Sequence, residues 1–267
     1  MSETGLACYA YCIVSADSPL RLTGVTGVDE SLEVDVLTHR DLSAVVSPVR
    51  LDQFGPAAVK RNLESLDWLA HVARRHNAVL RHLLAEHAVV PLRICTLFAD
   101  EDGVRRVLER EHDWLLETLR RLRGRAEWSV KVLAEPRTPD AGAGRRLRAA
   151  PEAPGSGRAY FERKRLQRTA RAETEAAVER AVEETHARLA GEAAAAILLP
   201  PQDRRLSGHS GEMVLNGAYL VESARAPAFA ALVDELCARH GSMGLRLELS
   251  GPFAPYSFVA GGVRVDE

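Results

Sequence analysis

Aromatic residues make up only 5% of this 267-residue chain, so the places where they gather carry information. Long apolar runs are absent too: none approaches the ~20 residues needed to span a bilayer. The opening segment, MSETGLACYAYCIV, has neither the basic start nor the small-residue cleavage pattern of a secretion signal, and a cytoplasmic protein is expected. Neither sign of charge dominates. With 35 basic and 37 acidic residues the chain has no overall electrostatic footprint for nucleic acid or for an anionic membrane. The four cysteines, Cys8, Cys12, Cys95 and Cys237, form no C-x-x-C pair and sit mostly in apolar stretches. That placement favours buried, reduced thiols over a disulfide framework or metal ligands.

Catalytic signatures are missing as well. There is no phosphate-cradling P-loop and no G-x-G-x-x-G; the nearest glycine-rich piece, 142–144, does not lie between a strand and a helix. Ser207, His209 and Ser210 share the LSGHSGE segment with Glu212, but a G-x-S-x-G elbow is not formed. His71, His76, His82 and His87 are spaced by five or six residues, which spreads them over two faces of a helix, and the His82–Glu86 pair lacks a third ligand. No catalytic group, cofactor or metal is expected.

What remains is an alternation of strands and helices. LACYAYCIV (6–14) reads as a buried strand, LEVDVL (32–37) and LSAVVSPV (42–49) as two more joined by the turn THRD. One long helix is expected from Pro56 to about His87, with Val59, Leu63, Leu66, Ala70, Ala73, Leu80 and Leu84 as its seam. VVPLRICTLF (89–98) reads as a strand in which Pro91 demands an edge or a bulge. A second helix, about 101–123, has acids at its start, arginines at its end and Gly124 as its stop; Val104, Leu108, Leu115 and Leu122 form its buried stripe. AEWSVKVLA (126–134) closes the first half as a strand. Residues 1–134 therefore read as an N-terminal α+β domain and 135–157, rich in Pro, Gly, Ala and Arg, as a flexible linker. Residues 158–267 read as a C-terminal domain: a long helix (158–190), then an α+β part (191–267) with strands at 193–199, 213–222 and 245–250 and a helix at 227–240. Asn216-Gly217 could be a hairpin turn, but its two arms would be short, so a single strand with a bulge at Gly217 is the preferred reading.

Two features stand out from this frame. The helix at 158–190 opens with Arg158, Arg163, Lys164, Arg165, Arg168 and Arg171 and continues with Glu173, Glu175, Glu179, Glu183 and Glu184. This is the reverse of what the helix macrodipole favours. It is either a solvated face rich in i,i+4 pairs such as Arg171–Glu175, or a block-charged surface made for another helix or a partner. The second feature is GPFAPYSFV (251–259), which concentrates three rings beside Pro252 and Pro255. Gly251 lets the chain turn, and the prolines hold the neighbouring residues extended. The segment either caps a core or bridges to something else, with Tyr256 and Phe258 expected as buried anchors and Phe253 as the more exposed ring.

Four stretches, in order, resemble the F/L family of gas vesicle proteins: YAYCIV (9–14), HNAVLRHLLAEHAVVPLRICTLF (76–98), YFERKR (160–165), and MVLNGAYLV followed by LSGPFAPYSFV. Cys12 and Cys95 stand where that family usually has glycine, which puts any positive φ there in doubt. Phe253 and Ala254 stand where tryptophan and proline are common, and the 135–157 linker departs from the usual length. The resemblance implies two α+β domains, ferredoxin-like in part, with long helices between them. It implies a non-enzymatic accessory protein of gas vesicle formation that binds the small hydrophobic shell protein and other accessory proteins to assist nucleation and assembly, in the cytoplasm and at the gas vesicle.

The residues that partner binding would use are Phe253, Arg93, Arg163, Arg165, Glu179 and Glu183; Pro91, Gly251, Pro252, Pro255, Tyr256 and Phe258 are expected to carry the structural motifs. Two other classes stay open. One is a nucleic-acid-binding module using the arginine-rich 145–171 region, though its aromatics are few and the adjacent glutamates would repel phosphate. The other is a small-molecule enzyme with a pocket lined by His76, Arg93 and Tyr256.

Overall fold

A strand that is apolar along its whole length belongs in the middle of a sheet, where both faces are covered. β1 (Leu6–Ser15) does so in the computed structural model, which describes residues 5–17, 19–135, 157–201 and 211–259. The expected 135–157 linker, the RRLR segment and the loop serines and histidine at 207–210 fall almost wholly outside these residues.

On one side β1 pairs antiparallel with β3 (Leu42–Arg50), which forms a hairpin with β2 (Asp35–His39). On the other side it pairs with two very short strands, β4 (Val90–Pro91) and β5 (Leu97–Phe98). The sheet order is β2-β3-β1-β4, with β5 also on β1. The single strand expected over 89–98 is thus two pieces. The backbone leaves the sheet after Pro91, which lies in the terminal strand as its missing donor requires. It then passes through Cys95 at φ 63.

The long helix expected from Pro56 is also broken. α1 (Leu51–Phe54) and α2 (Pro56–Asn62) precede α3 (Leu66–Leu84), which starts afresh at Ser65, whose side chain accepts from the Trp68 N–H. The break moves the apolar seam. Leu63 and Leu66 are exposed, and the buried stripe of α3 is Val72, His76, Val79, Leu80 and Leu83. The next helix is two, α4 (Glu101–Arg110) and α5 (His112–Leu122), with Asp100 capping the Gly103 N–H. Its expected stripe of Val104, Leu108, Leu115 and Leu122 is buried throughout. Gly124 ends it at φ 67.

Strand β6 (Arg125–Ala134) does not close the first sheet. It is the first strand of a second one, followed by α6 (Gly157–Glu192), β7 (Ala195–Leu198), β8 (Glu212–Glu222), α7 (Ala226–Gly241) and β9 (Leu245–Phe253). The sheet order is β7-β8-β6-β9. This β-α-β-β-α-β sequence is that of ferredoxin-like folds, and it needs β6 to be complete. β8 runs unbroken through Asn216-Gly217, in continuous register with β7, so neither a hairpin nor a bulge against β7 occurs there.

The chain divides into two units, Met1–Glu127 with Pro252–Glu267, and Trp128–Gly251. The first core gathers Tyr9, Tyr11, Val45, Val49, Phe54, Val79, Leu80 and Leu83 and includes Ala254. The second gathers Val130, Val132, Leu215, Tyr219, Phe229, Val233 and Leu236 with Ala181 and Leu189 of α6.

Candidate functional site

In the first unit the C-terminal tail is fastened by polar groups that the sequence scatters far apart. Tyr9 and Tyr11 point their hydroxyls into a core, where a buried phenol needs a partner. The Cys95 N–H donates to Tyr9 Oη at 3.1 Å, and Tyr9 Oη lies 2.9 Å from His76 Nδ1. His76 Nε2 lies 2.9 Å from Tyr256 Oη. The consistent arrangement is a one-way chain: Cys95 N–H to Tyr9, Tyr9 O–H to Nδ1, and Nε2–H to Tyr256, with the imidazole neutral. His76 is fully buried, and burial lowers its pKa to about 4. Burial likewise pushes the phenols of Tyr9 and Tyr256 upward.

Beside this chain, Ser257 donates its N–H and its O–H to the two Glu127 carboxylate oxygens at 2.8 and 2.7 Å, and Arg121 donates to the Phe258 carbonyl at 2.6 Å. Burial raises the Glu127 pKa, partly offset by the two Ser257 bonds.

The tail is therefore the cap of a core. Gly251 adopts φ 141, but the expected turn away from the sheet does not occur there: β9 continues through Pro252 to Phe253. Pro255 leads into a short 3-10 turn carrying Tyr256 and Phe258. Phe258 is buried and Phe253 is 44% exposed, whereas Tyr256 keeps 37% of its surface exposed and anchors through its hydroxyl rather than its ring.

The pocket of His76, Arg93 and Tyr256 does not exist as a ligand seat. Both imidazole nitrogens are taken by tyrosines, and the Arg93 side chain is exposed. A cleft lined by Asp17, Arg40, Asp41, Arg120 and Arg123 is polar, but Arg123 is already bonded to Asp17 at 2.9 Å and Arg40 to Glu109 at 2.7 Å. Among the described residues no three His, Cys, Asp or Glu side chains come together to hold a metal. His82 bonds the Arg21 carbonyl, and His71 faces Glu30 at 4.0 Å. Burial drives the Cys8 thiol up to about 11 and Cys12 higher still, against any thiolate chemistry.

In the second unit the two halves of α6 differ. The C-terminal half is anchored: Arg188 forks onto Glu235 at 2.8 and 3.2 Å, Glu184 meets Arg239 at 2.7 Å, and Glu192 pairs with Arg225. The described side chains from 160 to 173 are exposed, Tyr160, Phe161 and Leu166 included. Arg171 pairs along the helix with Glu175 at 2.8 Å, but Arg165 and Arg168 have no acidic partner among the described residues. Glu179 and Glu183 are exposed too; the Arg163 side chain lies outside the described residues. The reversed charge is thus partly internal, in the acidic half, and partly unspent.

Sequence reasoning missed one surface, the edge strand β7. It ends the second sheet, reads AAIL, and leaves Leu198 57% exposed with Leu199 following it. The signal was present: an apolar run of AAAAILL closed by Pro200 and Pro201, with no charge to guard an edge. No helix of the described residues is long and apolar enough to cross a membrane.

Comparison with known proteins returns one family. Residues 7–260 match the sequence profile described as "Gas vesicle synthesis protein GvpL/GvpF". The chain is 42% identical over 226 residues to gas vesicle protein L of Streptomyces sp. (strain CB03234), covering 84% of this chain and 82% of that one. It is 31% identical over 266 residues to gas vesicle protein F of the same strain, covering 95% and 100%. The fold matches the crystal structure of the gas vesicle protein GvpF from Anabaena sp. PCC7120 with a TM-score of 0.64 over 96% of both chains, at 21% identity. The corresponding figures for GvpF from Microcystis aeruginosa are 0.65, over 95% and 98%, at 18%.

Proposed function

The chain belongs to the GvpL/GvpF family of gas vesicle synthesis proteins, and from that premise we propose that it is a non-enzymatic accessory protein that holds the small apolar shell subunit before assembly. A shell subunit with an apolar face aggregates unless that face is covered. An unguarded sheet edge is one way to cover it, because strand addition supplies backbone hydrogen bonds while side-chain pockets supply selectivity.

The observation that carries this reading is the terminal strand β7 with exposed Leu198 and Leu199, apolar on an edge where soluble proteins ordinarily place charge. Phe253 and Arg93 are exposed, as further partner contacts would have to be. Other gas vesicle accessory proteins would then receive the loaded complex.

The test is co-purification with the shell subunit. Leu198→Lys with Leu199→Lys should abolish capture, while each substitution shifts stability by no more than about 0.5 kcal/mol because the sites are exposed. Phe253→Ala serves as the second arm. Undiminished capture by the lysine pair would remove β7 from the proposal, and failure of the wild-type protein to capture the subunit would remove the function.

A further inference from the structure

The inward stripe of α6 is Ala181, Thr185 and Leu189. On the opposite side Phe161, Arg165, Arg168, Ala172, Glu179 and Glu183 recur at steps of three, four and seven residues, within an arc of about 60–80° at ~3.6 residues per turn. All six are exposed. The face is basic before Ala172 and acidic after it, and among the described residues Arg165 and Arg168 have no acidic partner.

We propose that this face of α6 is the interface for a second copy of the same chain, laid antiparallel across it with Ala172 at the crossing. In that register Arg165 of one copy lies opposite Glu179 of the other, and Phe161 packs its ring along the stem of Glu183. The same contacts repeat on the far side of the two-fold axis, which is what a closed isologous interface requires. Ala172 meets its own copy and is small enough to let the helix axes approach. A parallel pair would set arginine against arginine, so the segregation of charge selects the orientation as well as the partner. It also gives a use to a charge order that the helix macrodipole opposes. The ion pairs are exposed and individually weak, so association should be modest and salt-sensitive.

Sedimentation velocity of the full chain, over a concentration series at low and high salt, tests this without any other protein and so independently of shell-subunit capture. A dimer is expected at low salt, dissociating as salt rises. Arg165→Glu alone and Glu179→Arg alone should each weaken it by roughly tenfold or more. Mixing those two variants should restore a heterodimer, because both cross-pairs are then opposite in sign. Combining both changes in one chain should restore the homodimer. Circular dichroism is expected to show unchanged helix content in every variant, since the sites are exposed. The proposal is overturned if the wild-type chain stays monomeric at low salt, if single reversals sediment as the wild type does, or if they weaken the dimer without recovery on mixing. Loss of binding to another gas vesicle accessory protein in Arg165→Glu, with a monomeric wild type, would assign the face to a foreign chain and likewise overturn it.

Discussion

His76 holds a neutral imidazole between two phenols, and that fixes how the first unit responds to acid. Its pKa is lowered to about 4 in the folded chain, against an ordinary value of 6.5, so folding disfavours the protonated ring. The contribution is complete above about pH 6.5 and declines as pH falls toward 4, by roughly 3 kcal/mol at most. Glu127 acts in the opposite sense, because its raised pKa means that protonation in the carboxylate range favours the folded form. Chemical denaturation across that pH window should therefore show a falling stability in the wild type and a flatter profile in His76→Gln, which keeps a donor and an acceptor. Parallel profiles would mean that His76 does not carry the dependence. The sequence placed His76 among four histidines too spread to hold a metal and, in one open class, in the lining of a pocket. What it offered and did not yield was the pair of tyrosines in an otherwise apolar strand, each needing a buried polar partner that no local spacing identifies.

At the scale of elements, the strands, the terminal helices and the single strand through Gly217 were legible because each has a clear period or a clear stop. The breaks were not. Ser65 and Glu111 interrupt runs of good helix formers, where propensity favours continuing and tertiary packing decides otherwise. Ser65 with Asp67 behind it did offer a capping signal; Glu111 offered none. The interruption between β4 and β5 has a backbone cause. Cys95 occupies the left-handed region at φ 63, where a side chain costs roughly 1–2 kcal/mol, and the Tyr9 hydroxyl holds it there through the Cys95 N–H. The doubt attached to a cysteine in a glycine-like position is thus answered: the conformation is kept and the strain accepted. Cys95→Gly should stabilise the chain by about 0.5 kcal/mol, since relief of strain exceeds the added freedom of the unfolded glycine. A lower melting temperature in that variant would show the half-buried thiol to matter more than the backbone.

Over the whole molecule, the boundary at the proline-rich stretch was the natural reading of composition, yet the structure divides the chain at Glu127 and again at Gly251. Composition marks where little is buried; it does not reveal that β6 opens a ferredoxin-like order or that the chain returns at Ala254 to the first core. This return has a consequence for folding. A chain synthesised only as far as Gly251 lacks Ala254 of the first core, the Tyr256 hydroxyl that meets His76, and the buried Phe258, whose carbonyl Arg121 holds. Losing the Phe258 ring alone should cost about 3–5 kcal/mol, a large part of the ~5–15 kcal/mol that holds a domain together. Because Ser257 bonds the Glu127 carboxylate directly, residues 127 and 257 lie within one side chain's reach. A linker of roughly six glycine and serine residues should therefore join Glu127 to Pro252 without strain. Residues 5–127 joined in this way to 252–259 should melt cooperatively, whereas 5–127 alone should melt far lower or not cooperatively at all. Phe258→Ala in the joined fragment should reproduce most of that loss and Phe253→Ala almost none of it. Equal melting with and without the tail would show that the first unit completes its core without it, and would leave the rings of 253–258 to a partner.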